Sequence, residues 1–109
     1  MAVTPLTLDP VSFARQAGEV AGLLKAIANQ RRLMVLCKLV EEEEMRVGDL
    51  AQAVGLSQSA LSQHLSVMRD EGLLAFRRES QSLWYRIADP RVASLLATLH
   101  DLFCKEQTV

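Results

Sequence analysis

Residues 47–72, VGDLAQAVGLSQSALSQHLSVMRDEG, constrain the fold of this 109-residue chain more than any other stretch. Val47, Leu50, Ala51 and Val54 fall on one face of a short helix, and Gly55 closes it where a left-handed backbone is easily adopted. Ser57 then caps a second helix, in which Leu61, Leu65 and Met68 form the buried stripe and Gly72 supplies the stop. Two helices joined by a turn containing Gly make a helix-turn-helix. A helix that enters the major groove must bury one face in its own domain and offer short hydrogen-bonding side chains on the other. Ser57, Gln58, Ser59, Ser62 and Gln63 meet that demand, with Gln58 and Gln63 as the candidate base readers. Ser and Gln also serve simply to hydrate an exposed helix, so the flanking segments decide the matter.

Those flanks are punctuated by caps. Asp9 and Pro10 are an N-cap followed by the residue favoured at the first helical position, and Phe13, Ala17, Val20, Leu24 and Ile27 then recur at steps of four and three. A helix over about Pro10 to Ala28 with a narrow apolar seam is expected, suited to packing against another helix, including one from a second chain. Asn29 caps the next helix, ending near Glu42, with Leu33, Leu36, Cys37 and Val40 on its inner face and Arg31, Arg32 and Lys38 towards water. After the turn at Gly72, Leu74 and Phe76 alternate inward, Glu79 to Ser82 is polar, and Leu83, Tyr85 and Ile87 alternate again. That is one β-hairpin, with Trp84 on its opposite, partly exposed face. Asp89 and Pro90 repeat the cap-plus-proline signal before a last helix to about Lys105, whose apolar face runs through Val92, Leu95, Leu96, Leu99, Leu102 and Phe103.

The expected fold is therefore mainly α with one hairpin, a winged helix-turn-helix in the order α-α-α-α-β-β-α, dimerising through its first and last helices. The chain is long enough for one domain over 1–109, with 1–9 as a flexible tail. Half the residues are hydrophobic and 23 % are charged, which is a globular composition, and the formal net charge of −1 excludes coating of nucleic acid by bulk positive charge. Any DNA surface must be a local patch. Arg77, Arg78 and Arg86 supply one on the hairpin, where a wing lying along phosphates needs charge, although strand arginines are also ordinary solvated groups. Arg69 and the pair Arg31 and Arg32 extend the patch or are ordinary surface charges. His64, at the margin of the buried stripe, reads either as a packed, hydrogen-bonded histidine or as a phosphate contact. No run is apolar enough to span a membrane and no targeting segment is legible, so the expected location is the cytoplasm. Two cysteines, Cys37 and Cys104, are too sparse for a disulfide scaffold and form no CxxC motif. Cys37 continues an apolar helix face, where a buried structural cysteine is ordinary. A thiol enzyme lacks support, since there is no Gly-rich cofactor loop and no helix N-terminus at either cysteine.

Three segments, AIANQRRLMVL, VGDLAQAVGLSQSALSQHLSVMRDEGLL and the hairpin ending in LWYRI, resemble the ArsR/SmtB family of dimeric winged-helix transcriptional regulators over about residues 20 to 105. The resemblance implies a homodimer that binds an inverted repeat in double-stranded operator DNA and releases it when an inducer binds. Metal-sensing members carry a CxC motif where this chain reads VGDLAQAV, and others use a ligand spacing that Asp89, Arg91, His100 and Asp101 do not reproduce, so no metal or other cofactor is expected. Cys37 and Cys104 resemble the pair of the persulfide-sensing branch, the BigR/SqrR type, in which reactive sulfur species or oxidants bridge two thiols within one subunit. The resemblance thus implies a repressor with Cys37 and Cys104 as its redox-sensing residues. It extends to the HlyU type, which implies an anti-repressor or activator instead, and a regulator with another inducer and structural cysteines is the remaining alternative. The wing tip Glu79-Ser80-Gln81-Ser82 lacks the glycine often found in the family.

Overall fold

The computed structural model describes residues 9–104, with the side chain of Cys104 outside the description. The cap signals of the sequence all mark helix starts. Helix α1 spans Pro10–Ile27 with the Asp9 carboxylate accepting from the Ser12 N–H at 2.8 Å, and α2 spans Gln30–Glu42 with Asn29 Oδ1 accepting from Arg31 and Arg32 N–H at 2.9 and 3.1 Å. Between them the Asn29 N–H bonds the Ile27 carbonyl across Ala28, an inverse γ-turn that redirects the chain within one residue. Helices α3 (Val47–Val54) and α4 (Gln58–Asp70) meet through Gly55, at φ 69° and ψ 37°, and the Ser57 side chain caps α4 by accepting from the Ala60 N–H. Helix α5 spans Pro90–Leu99, capped by Asp89.

The hairpin forms from strands Leu74–Glu79 and Ser82–Ile87, in the register Leu74 opposite Ile87 through Glu79 opposite Ser82. One element is additional to the expected order. Met45–Arg46 is a two-residue strand paired with Tyr85 and Trp84, which makes a three-stranded antiparallel sheet. We number the strands β1 (Met45–Arg46), β2 (Leu74–Glu79) and β3 (Ser82–Ile87), with the order β1-β3-β2. Two residues carry no alternation of their own, and β1 exists only because β3 offers a free edge.

Four further expectations need correction. The last helix does not run as an α-helix to Lys105. It passes at His100 into a π-helical turn, His100–Cys104, and Lys105 lies outside the described residues, as do residues 1–8 of the expected tail. On α2 the buried positions are Val35, Leu36 and Leu39, while Leu33 and Cys37 are half-buried and Val40 is exposed, because α3, α4, α5 and β3 surround the helix on more than one side. Arg32 is half-buried rather than turned to water. Phe76 is 39 % exposed despite the inward alternation, since β2 runs past the edge of the core and leaves its ring against Tyr85, 5.3 Å between centroids.

The core is apolar among the described residues, with Leu36, Leu50, Leu61 and Val92 at 0 % exposure holding α2, α3, α4 and α5 together. Leu61, Leu65 and Met68 anchor α4 from one side only, so its other face stands clear of the domain. On α1, Phe13, Val20 and Leu24 stay half exposed, and beyond α5 so do Leu102 and Phe103, to 69 and 80 %. No helix among the described residues is long and apolar enough to cross a membrane.

Candidate nucleic-acid interface

The exposed side of α4 is made by sequence spacing alone. With Leu61, Leu65 and Met68 buried, Gln58, Ser59, Ser62 and Gln63 are carried outwards on the first two turns, and none of these four side chains bonds another described residue. Their donors and acceptors are open to a ligand. Ser57 differs, because its Oγ is engaged as the cap at 3.1 Å from the Ala60 N–H. The N-terminus of α4 adds a partial positive charge beside these groups. A cleft of about 470 Å³ lies between α4 and the wing, lined by Gln58 and Ser62 of α4 and by Gln81 and Ser82 of the wing, together with Arg46 and Asp49. The wing turns over at Ser80, which takes φ 56° where glycine is usual.

The three wing arginines do not form one patch. Arg77 and Arg86 lie on the sheet face of Trp84, while Arg78 alternates to the face of Leu83 and Tyr85. Arg78 and Arg86 are exposed and make no ion pair with another described residue. Arg77 is engaged through all three of its nitrogens: its Nε and Nη2 donate to Glu44 at 2.8 and 2.9 Å and its Nη1 donates to Glu79 at 2.8 Å. The bonds to Glu44 and then Glu79 raise its pKa further. Its guanidinium also covers the Trp84 ring at 5.2 Å, with Arg46 over the same ring at 5.4 Å. Glu44, Arg46 and Trp84 thus belong to the wing's electrostatics, and no local pattern in the sequence marks Glu44, which reaches Arg77 across 33 positions.

His64 is half-buried at the margin of α4 and makes no hydrogen bond to another described residue. Burial, with the charges of Arg32 and Arg31, lowers its pKa below the ordinary histidine value, so it is neutral near pH 7. Arg31 is structural: its Nη1 donates to the Val54 carbonyl at 2.8 Å, tying α2 to the end of α3 in the helix-turn-helix. The Nε of Arg32 is buried without a partner among the described residues. Arg69 bridges α4 and the sheet, donating to the Tyr85 hydroxyl at 3.4 Å and covering the Phe76 ring at 5.4 Å.

Cys37 is half-buried on α2 and opens onto a cleft of about 350 Å³ between α2 and the end of α5, lined also by Glu41, Leu96, His100 and Asp101. Cys104 closes the π-helical turn that begins at His100, so the backbone brings the second cysteine to the same end of α5, and its side chain lies outside the description. Among the described residues no group of three or more His, Cys, Asp or Glu stands together as a metal site.

Comparison with known proteins fits this geometry. Residues 29–75, from the cap of α2 to the start of β2, match the family model described as bacterial regulatory protein, arsR family. The chain is 42 % identical over 101 residues to the transcriptional activator HlyU of Vibrio cholerae, covering 93 % of this chain and 91 % of that one. It is 40 % identical over 93 residues to the biofilm growth-associated repressor of Xylella fastidiosa, covering 85 % of this chain and 81 % of that one. The structure of reduced HlyU from Vibrio cholerae superposes with a TM-score of 0.82 at 40 % identity, covering 86 % of this chain and 98 % of that one. With its open recognition helix, its wing and these relatives, the chain belongs to the ArsR family of winged-helix, DNA-binding transcriptional regulators.

Proposed function

We propose that the chain acts as a homodimeric repressor of an inverted-repeat operator, with DNA affinity controlled by bridging of Cys37 and Cys104 by persulfides or oxidants. Ser57, Gln58, Ser59, Ser62, Gln63 and His64 of the helix-turn-helix, with Arg77, Arg78 and Arg86 of the wing, are the DNA-binding residues of this reading. The observation that carries the sensing role is the cleft between α2 and the end of α5, onto which Cys37 opens beside the turn ending in Cys104. One thiolate attacks a sulfane sulfur of a polysulfide and displaces a shorter polysulfide anion. The second attacks along the resulting chain and displaces hydrosulfide, so two thiols are oxidised as sulfane sulfur is reduced. A sulfur chain of more than two atoms relaxes the separation that a direct disulfide demands. The half-exposed apolar side chains of α1 and those following α5 support a dimer seam built from both ends of the chain.

A bridge from α2 to the end of α5 would alter that seam and the separation of two recognition helices, which must fit half-sites about one helical turn apart. A coupling of about 1 to 3 kcal/mol would change affinity about 5- to 150-fold. The test is the intact mass of the reduced protein after polysulfide treatment, together with DNA release by Cys37→Ser and Cys104→Ser. We expect a monomer mass carrying added sulfur with both thiols blocked, and variants that bind DNA but no longer release it. Free thiols after treatment, or normal release by both variants, would refute the sensing role and leave the DNA-binding assignment standing. A second reading, an activator or anti-repressor, is favoured by the 42 % identity to a protein named a transcriptional activator. It predicts that the bound chain displaces another DNA-binding protein rather than blocking transcription itself.

A further inference from the structure

The outer face of the wing holds an arrangement that simple phosphate binding does not require. Arg77 carries positive charge to the middle of β2, yet Glu44 takes its guanidinium through two bonds, at 2.8 and 2.9 Å, in the same fork that a phosphate would use. Glu44 is delivered there deliberately by the backbone. Glu43 adopts φ 69° and ψ −46°, a strained conformation for a residue with a side chain, and the Glu44 N–H bonds the Glu42 carbonyl at 2.8 Å in a tight γ-turn. Immediately afterwards β1 pairs with β3, which sets Arg46 opposite Trp84 and fixes Glu44 beside the sheet. The hydrogen bond from Arg77, then the charges of Arg77 and Arg86, hold the Glu44 carboxyl below the usual carboxylate range, so it is an anion wherever DNA binding is measured near neutral pH.

We propose that Glu44 sets the DNA affinity of the wing: it occupies Arg77 in the DNA-free protein, and a backbone phosphate must displace it before Arg77 contacts nucleic acid. The proposal rests on the reading of β2 and β3 as a wing that meets DNA, and it makes Glu44 a positioning residue. Arg78 meets phosphate without this competition, whereas Arg86 makes no hydrogen bond to Glu44 but feels its charge. The Arg77 and Glu44 side chains are 44 and 28 % exposed, so their pair is strong enough to compete and weak enough to be displaced. An ion pair of this kind shifts affinity by up to about fivefold. Glu79, more exposed at 63 %, holds Arg77 by one bond and is the lesser competitor.

The experiment is fluorescence-anisotropy binding of the full chain to a labelled mixed-sequence duplex of about 30 base pairs, long enough for two half-sites, over a series of salt concentrations. Glu44→Gln is expected to bind about threefold to fivefold more tightly at low salt, with the slope of log K against log salt steeper by about one contact. The same substitution in an Arg77→Ala background is expected to give no such gain over Arg77→Ala alone. A gain that persists without Arg77 means that Glu44 repels DNA only through its bulk charge, and overturns the proposal. Unchanged or weaker binding by Glu44→Gln, with thermal stability retained, overturns it as well and leaves the pair structural. Arg78→Ala separates the two levels of failure. If it also leaves the salt slope unaltered, the wing does not meet DNA, whereas a lower slope shows that the wing does and that Glu44 is no competitor.

Discussion

Replacing Arg31 with Met should destabilise the domain and leave the salt dependence of DNA binding unchanged. By charge alone, Arg31 extends a basic patch, and its loss would weaken phosphate contacts. In the fold it donates from Nη1 to the carbonyl of Val54 at 2.8 Å, at the C-terminus of α3 where main-chain carbonyls lack helical partners. It also borders the turn itself, since a Cβ added at Gly55 would stand 3.9 Å from the same nitrogen. A hydrogen bond with one charged partner contributes about 1.5–3 kcal/mol when shielded, and because Arg31 is exposed to competing water about 1 kcal/mol is expected here. Methionine keeps the apolar stem and removes only the guanidinium. With a urea slope of about 1–3 kcal/mol per molar, the unfolding midpoint should fall by about 0.3–1 M, followed through the single Trp84 at one fixed protein concentration. A midpoint within about 0.1 M of the parent, joined to a salt slope lower by about one, would show that Arg31 serves DNA rather than the helix-turn-helix.

Two further outcomes test individual features. His64 has its pKa lowered in the folded state, so the unfolded chain binds more protons just below the ordinary histidine value of about 6.5, and stability is full above that pH and declines as pH falls through it. Urea midpoints should therefore drop between about pH 7.5 and 5.5, and His64→Gln should flatten that drop. Glu43→Gly relieves a sparsely populated γ-turn conformation that costs a side-chain-bearing residue about 1–3 kcal/mol, against about 0.5–1 kcal/mol of added chain entropy, so a gain of about 1 kcal/mol is expected in the same urea assay. A loss of stability would show that the γ-turn at Glu43 is unstrained.

Four of the five α-helix starts were legible from caps, which depend on neighbours within three residues, whereas α3 starts after Arg46 with no side-chain cap. Asp9, Asn29, Ser57 and Asp89 each accept a main-chain N–H two or three positions ahead, and such contacts need no tertiary partner. The open face of α4 was equally legible, since the spacing of Leu61, Leu65 and Met68 dictates which side chains are left outside. The strand β1, the Arg31 bond to Val54 and the exposure of Phe76 were not, because each depends on what stands across from it. Two residues become a strand only against the edge of β3, and an arginine becomes a tether only where a distant carbonyl lacks a donor.

The sequence by itself determined the helices and the hairpin of this protein, the turn of its helix-turn-helix and the polar outer face of α4, since periodicity and capping act over a few residues. Tertiary structure alone decided which charges are available. Arg77, Arg78 and Arg86 look alike along the chain, but pleating divides them between two faces of the sheet, and of the three only Arg77 is hydrogen-bonded by Glu44, which the turn at Glu43 delivers. Charge is a property of a residue. Whether it is free to meet a phosphate depends on the partners that folding places within hydrogen-bond reach.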